Sequence, residues 1–238
     1  MNEPMHVVAC AHGTDDQDGQ RAVDRLRAEV ADLSRRRGID VRIHEAYVDV
    51  QGPRLDDVLA SLPVGEPAVV LPLLLSTGHH TQVDIRRAAD SRPGTLAAAP
   101  IGPDRRLAVA LAERLARAGL DDGDRVVLAS AGTRVARGIE EVVQLAAWLG
   151  EEIGRPVTAA FGTAAEPNVR DAVRDARAQG GRRVILASYL LAPGFFHAML
   201  ARAGADVVTG PLLPSGLVAE CAVDRLAEVL HPASHDGS

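Results

Sequence analysis

Short runs of consecutive apolar residues alternate along this chain with stretches in which apolar residues recur every three or four positions. His6–Ala11, Val41–Asp49, Ala68–Leu75 and Leu96–Ile101 read as strands. Between the first two, Val23, Leu26, Val30 and Leu33 form a stripe at helical spacing; Leu55, Val58, Leu59 and Leu62 give a shorter helix, and Leu107, Leu111 and Leu115 a helix that closes the first half. The turn-rich segment Gly119-Leu120-Asp121-Asp122-Gly123 separates the halves. The same order then returns. Strands are expected at Val126–Ser130, Val157–Phe161, Val184–Leu191 and Val207–Leu212, a helix on Ile139, Val142, Val143, Ala146 and Leu149, and a last stripe on Ala219, Val223, Leu226 and Leu230. Continuously apolar strands separated by helices predict an α/β protein whose small parallel sheets are covered on both faces. The tail from His231 onward is expected to fray, with its histidines solvated.

The halves are copies. HVVACAHGTD from His6 matches RVVLASAGTR from Arg125, which places Gly13-Thr14 on Gly132-Thr133 at an offset of 119 (132 − 13) and His12 opposite Ala131. LPLLLSTGHHTQ, ending at Gln82, matches ASYLLAPGFFHA, ending at Ala198, at an offset of 116 (194 − 78), which sets His79 and His80 opposite Phe195 and Phe196. Pro53 falls on Pro167 at an offset of 114 (167 − 53), so Thr163 faces Asp49. Two similar tandem domains are therefore expected, residues 1–119 carrying the histidines and residues 120–238 carrying a degenerate site, each with its own core. One working copy and one supporting copy are the simplest meaning of that asymmetry.

Composition narrows the class. The chain has 238 residues and is 47% hydrophobic but only 3% aromatic, so aliphatic side chains must fill its cores. No apolar run reaches the roughly 18 residues of a membrane span, and no charged segment precedes an apolar signal core, so a cytoplasmic protein is expected. All 26 basic residues are arginine, scattered among 32 acidic ones, which offers no footprint for nucleic acid. Without lysine there is no Schiff-base chemistry. Cys10 and Cys221 lie far apart without a CxxC spacing and read as small buried hydrophobes.

In parallel sheets functional groups gather in the loops at the carboxyl ends of strands. His12 follows the first strand, Asp49 ends the second and His79-His80 follow the third. Neutral imidazole binds borderline divalent metals and also accepts protons near its ordinary pKa of about 6.5. Two such groups could hold a transient metal ion or deprotonate a substrate. There is no HExxH or cysteine cluster for a permanent structural metal, and neither GxGxxG nor Walker A spacing for a nucleotide. Competing structural readings stand beside these: a cap or surface group for His12 and His80, a rim residue for His79, and a helix N-cap ahead of Pro53 for Asp49. His197, one place beyond the expected position in the second copy, is either an accessory group in the cleft or an ordinary loop residue. His6 and His44 are expected to be exposed strand residues.

HGT at His12 after an apolar strand, AYVDV at Ala46 and LLLSTGHHTQVDI at Leu73, together with their degenerate second copies, resemble the class II tetrapyrrole metal chelatases in their long, two-domain form. The family pattern has Ser where this chain has Thr14 and Pro where it has Thr77. The resemblance covers nearly all of residues 6–230. It implies ATP-independent insertion of a divalent metal, Fe2+ or Co2+ with Ni2+ open, into a sirohydrochlorin-type tetrapyrrole of siroheme or cobalamin synthesis. It further implies that the metal is a substrate rather than a bound cofactor, that His12 and His80 act at the metal and pyrrole nitrogens, and that Asp49 stands where the family often has Glu. A monomer acting as an internal pseudo-dimer follows from the tandem copies. The substrate is rich in carboxylates, which makes Arg86, Arg87, Arg105, Arg106 and Arg134 candidate clamps. A non-catalytic tetrapyrrole or metal carrier would need the same ligands. A histidine phosphatase would place Arg directly before its histidine, where this chain has Ala11.

Overall fold

The computed structural model describes residues 3–78 and 80–231, and for residues 80–82 the backbone alone. The first half runs β1 (Met5–Ala11), α1 (Gln17–Arg36), β2 (Val41–Tyr47), α2 (Leu55–Ser61) and β3 (Ala68–Pro72); a π-helical segment, His80–Ile85, then leads into α3 (Arg86–Asp90), β4 (Thr95–Ala97) and α4 (Arg105–Arg117). The second half runs β5 (Arg125–Ser130), α5 (Ala136–Ile153), β6 (Val157–Phe161), α6 (Val169–Ala178), β7 (Val184–Tyr189), α7 (Phe195–Leu200), β8 (Val207–Val208) and α8 (Gly216–Leu230). Each half builds a four-stranded sheet with all strands parallel, in the orders β2-β1-β3-β4 and β6-β5-β7-β8. The predicted α/β class and duplicated parallel sheets are thus present.

Side-chain alternation on the strands divides the interior. Val7, Ala9 and Ala11 of β1 point into one cluster and Val8 and Cys10 into another, as the two-residue period of a strand requires. The separate cores expected for the two copies are replaced by three clusters. The largest is shared: it joins β1, β3, α1 and α4 of the first half to β5, β7, α5 and α8 of the second, while smaller clusters lie under α2 and α3 on one outer face and under α6 on the other. The reason is an exchange of closing helices. α4 does not cover its own sheet but packs on α5 and β7, and α8 returns to pack on α1 and β3. Each sheet is roofed partly by the other copy, so the apolar stripe on Leu107, Leu111 and Leu115 is buried against the partner half. Leu26 and its counterpart Leu145 are both fully buried in the shared cluster, where truncation to alanine costs about 2–5 kcal/mol.

Local sequence explains the element ends. Asp16 caps α1 by accepting from the Gly19 N–H (2.9 Å), Asp104 caps α4 through the Arg106 N–H (2.9 Å), and Asn168 caps α6 through the Arg170 N–H (3.0 Å). β3, β4 and β8 are shorter than their apolar runs, because Leu74 and Leu75 turn away from β1 after the last bond from the Leu73 N–H, and the edge strands β4 and β8 have a partner on one side only. His6 corrects the expectation of an exposed strand residue. β1 is a central strand, and His6 is 4% exposed, held at Nε2 by Glu66 (2.6 Å) and at Nδ1 by His44 (2.8 Å).

Candidate functional site

Strand order 2-1-3-4 places a topological switch point at the carboxyl ends of β1 and β3, where successive connections depart to opposite sides of the sheet. β1 pairs with both β2 and β3, so the three loops singled out in the sequence emerge side by side. The Asp49 N–H donates to the His12 carbonyl (3.1 Å), and the Leu73 N–H to the Cys10 carbonyl (2.8 Å). β5 does the same for the second copy, and the two sets of loops face each other across a cleft of ≈ 840 Å3. Its walls are largely apolar, with Leu73, Leu75, Val142, Leu191 and Phe195 among them.

His12 lines this cleft and is partly buried, its Nδ1 3.3 Å from the Gly13 carbonyl oxygen. With the proton on Nδ1, Nε2 carries the lone pair that a metal or an N–H proton requires. The backbone after His12 depends on glycine. Gly13 has φ +99°, and a Cβ there would collide with the Asp49 carbonyl oxygen; Gly132 repeats the arrangement at φ +105° against Thr163. The neighbouring loop is strained in both copies, with Val50 at φ 56° and Ala164 at φ 65°, a left-handed conformation that is an outlier for a β-branched residue. The Gln51 N–H bonds back to the Asp49 carbonyl (2.5 Å), and the Gln51 Oε1 accepts from the Thr14 N–H (2.8 Å), tying the Asp49 loop to the His12 loop.

The other sequence-derived candidates distribute unevenly. The chain enters the π-helical segment at His80, a distortion frequent at functional sites. His79 lies outside the described residues. Asp49 is not the helix cap that the sequence allowed: α2 begins after Arg54, and the Asp49 Oδ1 accepts from the Val50 N–H (2.8 Å) with Arg54 at 3.8 Å. Its side chain lines a smaller hollow of ≈ 330 Å3 beside the main cleft, together with Arg54, Asp56, Asp84 and Arg87. His197 lines the cleft, but its Nε2 is 3.1 Å from the Thr209 carbonyl oxygen, which anchors the ring to the second copy. Among the described residues no group of three or more His, Cys, Asp or Glu side chains is placed to hold a metal ion. Burial pushes the thiols of Cys10 and Cys221 up to about 12, in keeping with inert core residues.

Of the five candidate arginines only Arg134 lines the cleft. Arg87 pairs with Asp56, Arg105 with Glu151, and Arg106 with Asp104 and Asp224, as solvated helix charges commonly do. Sequence reasoning missed the groups that hold the loop before His79. The Tyr189 hydroxyl, whose ionisation burial pushes far above its ordinary value, donates to the Leu75 carbonyl (2.6 Å), and Glu141 accepts from Thr77. Glu141 stands in a helix among apolar residues, where a carboxylate normally signals solvent. Arg27, buried inside the α1 stripe, donates to the Ala9 carbonyl (3.2 Å) and the Tyr47 hydroxyl (3.1 Å) beneath the site.

The fold recurs in solved structures. The chain is similar in structure to SirB from Bacillus subtilis with Fe3+ (TM-score 0.76, 20% identity, 94% of this chain and 95% of that one). It is likewise similar to the sirohydrochlorin chelatase SirB from Bacillus subtilis subspecies spizizenii in complex with cobalt (TM-score 0.74, 17% identity, 98% of each chain). A third similar structure is CbiX, described as the terminal enzyme for biosynthesis of siroheme in denitrifying bacteria (TM-score 0.67, 23% identity, 93% of this chain and 98% of that one). No curated protein matches the sequence. No helix among the described residues is long and apolar enough to cross a membrane. The CbiX family model matches residues 6–118 and again residues 125–229, so the chain belongs to the CbiX family and carries its pattern twice.

Proposed function

We propose that this protein is an ATP-independent, cytoplasmic metal chelatase that inserts a divalent cation, Fe2+ or Co2+, into a sirohydrochlorin-type tetrapyrrole. The observation that carries this reading is the cleft between the two copies: wide, apolar-walled, and lined at the switch point by His12 on one side and by Ala131 on the other. Apolar walls suit the faces of a planar macrocycle, and Arg134 at the rim suits its carboxylates. Insertion exchanges two pyrrole N–H protons for one metal ion. His12 and His80 bind the incoming cation and take up protons, and Asp49, in the adjoining loop, passes protons or hydrated metal toward solvent. The metal is substrate, and the protein keeps no resident cofactor. Because both walls come from one chain, the monomer is the working unit.

The relatives with iron and cobalt bound, and membership of the family, support the reading. The rival is a carrier that binds tetrapyrrole or metal without turnover. The test is to mix the protein at substoichiometric concentration with sirohydrochlorin and Co2+ and to follow the absorption of the macrocycle. Many equivalents of metallated product per protein, formed faster than without protein, are expected. Product that stops at one equivalent would make the protein a carrier.

A further inference from the structure

The geometry points to Glu141 as a positioning residue that, from the second copy, fixes the histidine-bearing loop of the first. This rests on the reading of His80 as a metal ligand. Glu141 projects from α5, and its side chain is only 10% exposed. Its two oxygens accept from the Thr77 N–H and from the Thr77 hydroxyl, both at 2.7 Å. Hydrogen bonds to a carboxylate are short and strong, and two of them on one residue fix orientation as well as position. The Thr77 carbonyl lies against Gly138 one helical turn earlier, so closely that a Cβ there would collide with it. Two residues upstream, the Leu75 carbonyl is held by Tyr189. The segment 75–77 is therefore grasped at both ends by the other copy, three residues before His80.

Internal symmetry separates this clamp from ordinary domain glue. The backbone contact is reciprocal: Gly19, at an offset of 119 from Gly138, receives the Pro193 carbonyl just as Gly138 receives that of Thr77. Among the described residues the polar contacts of this clamp run in one direction only. Pro193 occupies the position of Thr77 and has no N–H to donate, Ala22 occupies the position of Glu141, and Leu73 that of Tyr189. A buried carboxylate carries a desolvation cost, and of the two counterpart loops it is the one leading to His79-His80 that Glu141 meets. The loop opposite, leading to Phe195-Phe196, is left without it.

The experiment compares the full-length protein with Glu141→Ala, Glu141→Gln, Thr77→Val and His80→Ala. Co2+ affinity is read from visible absorption in the absence of tetrapyrrole, metal insertion from the macrocycle spectrum, and folding from Tm. Glu141→Ala is expected to weaken Co2+ binding and insertion about 10-fold or more, the usual effect of removing a group that orients a ligand. Glu141→Gln still offers an acceptor to the N–H and a donor to the hydroxyl oxygen, loses only the bond that its Oε1 accepts from the exposed Arg137 (3.1 Å), and should stay within about threefold of wild type. Thr77→Val, which removes one of the two bonds and keeps the fold should Glu141→Ala lose it, should fall between them. If His80→Ala abolishes Co2+ binding while Glu141→Ala and Thr77→Val leave affinity and rate unchanged, the positioning role is overturned and the chelatase reading stands. If Glu141→Gln is as impaired as Glu141→Ala at unchanged Tm, charge rather than placement matters and the inference is also overturned. If His80→Ala itself changes neither affinity nor rate, the chelatase reading of this loop fails first, and the clamp loses its purpose with it.

Discussion

The two copies share the left-handed turns at their strand ends and much of the apolar cleft wall, with Val23 matched by Val142, Leu74 by Leu190 and Leu75 by Leu191, but differ at the positions that could carry chemistry. Gly13 and Gly132 sit at φ +99° and +105°, Val50 and Ala164 at φ 56° and 65°. Yet His12 faces Ala131, Asp49 faces Thr163, and His79-His80 face Phe195-Phe196. A loop geometry that survives the loss of its imidazoles is a property of the scaffold: the turn at the strand end is needed for the chain to leave the sheet and enter the next helix. Chemistry is added to such a turn by side chains alone. The second copy accordingly contributes wall, roof and clamp, through α8 over β3 and Glu141 and Tyr189 against the loop after it.

The sharpest break of this comparison is the removal of the imidazoles. His12→Ala and His80→Ala should each slow Co2+ insertion by about 100-fold or more, the scale of lost acid–base and ligand chemistry, with Tm essentially unchanged. His197→Ala, whose ring is already engaged with Thr209, should lose far less. Equal losses in all three would mean that both copies supply ligands. The same assay should show the rate falling on acidification, because protons and metal compete for one lone pair.

The glycines test the opposite half of the argument. Gly13→Ala and Gly132→Ala should both destabilise the protein, by about 2 kcal/mol each, through positive φ and collision with a carbonyl, measured by urea denaturation. If the turn is scaffold in both copies, the stability losses should match while only Gly13→Ala depresses insertion beyond the loss of folded protein.

Asp49→Asn should slow insertion several-fold, less than the histidine variants, because it removes a negative charge beside the site without removing a ligand. Tm should hardly move, since the pair with Arg54 is exposed and worth little. Unchanged turnover and unchanged Co2+ affinity would return Asp49 to a structural role.

The smallest expected effect lies at the far end of the first sheet. His44 has its pKa lowered by burial and by the charges of His6 and Arg42, so the folded state disfavours its protonation. A depressed histidine contributes stability that is present above about pH 6.5 and is lost as pH falls below it. The urea midpoint should therefore decline on acidification, and His44→Gln should flatten that decline. The second copy has Arg125 at the position of His6.

Much of this was written in the sequence. Apolar runs and stripes located the sheet-forming segments and the main helices, because burial on both faces leaves a signal of composition and period. The repeat, read without coordinates, identified His12 and the His79-His80 loop as the places where the copies part. Local sequence could not reveal contacts whose partners lie far along the chain. Nothing in the stripe of α4 says that it packs on β7 rather than on its own sheet, since an apolar face is indifferent to which apolar surface it meets. The burial of His6 came from β1 lying between two neighbours, and strand order is set by crossovers rather than by the strand itself. Nothing local to Glu141 marks it, since its partner Thr77 lies 64 residues away in sequence and comes within 2.7 Å only in the folded chain. Sequence fixes periodicity and chemical inventory because these are local; which acceptor meets which donor across the cleft is decided only when the two sheets close on their shared core.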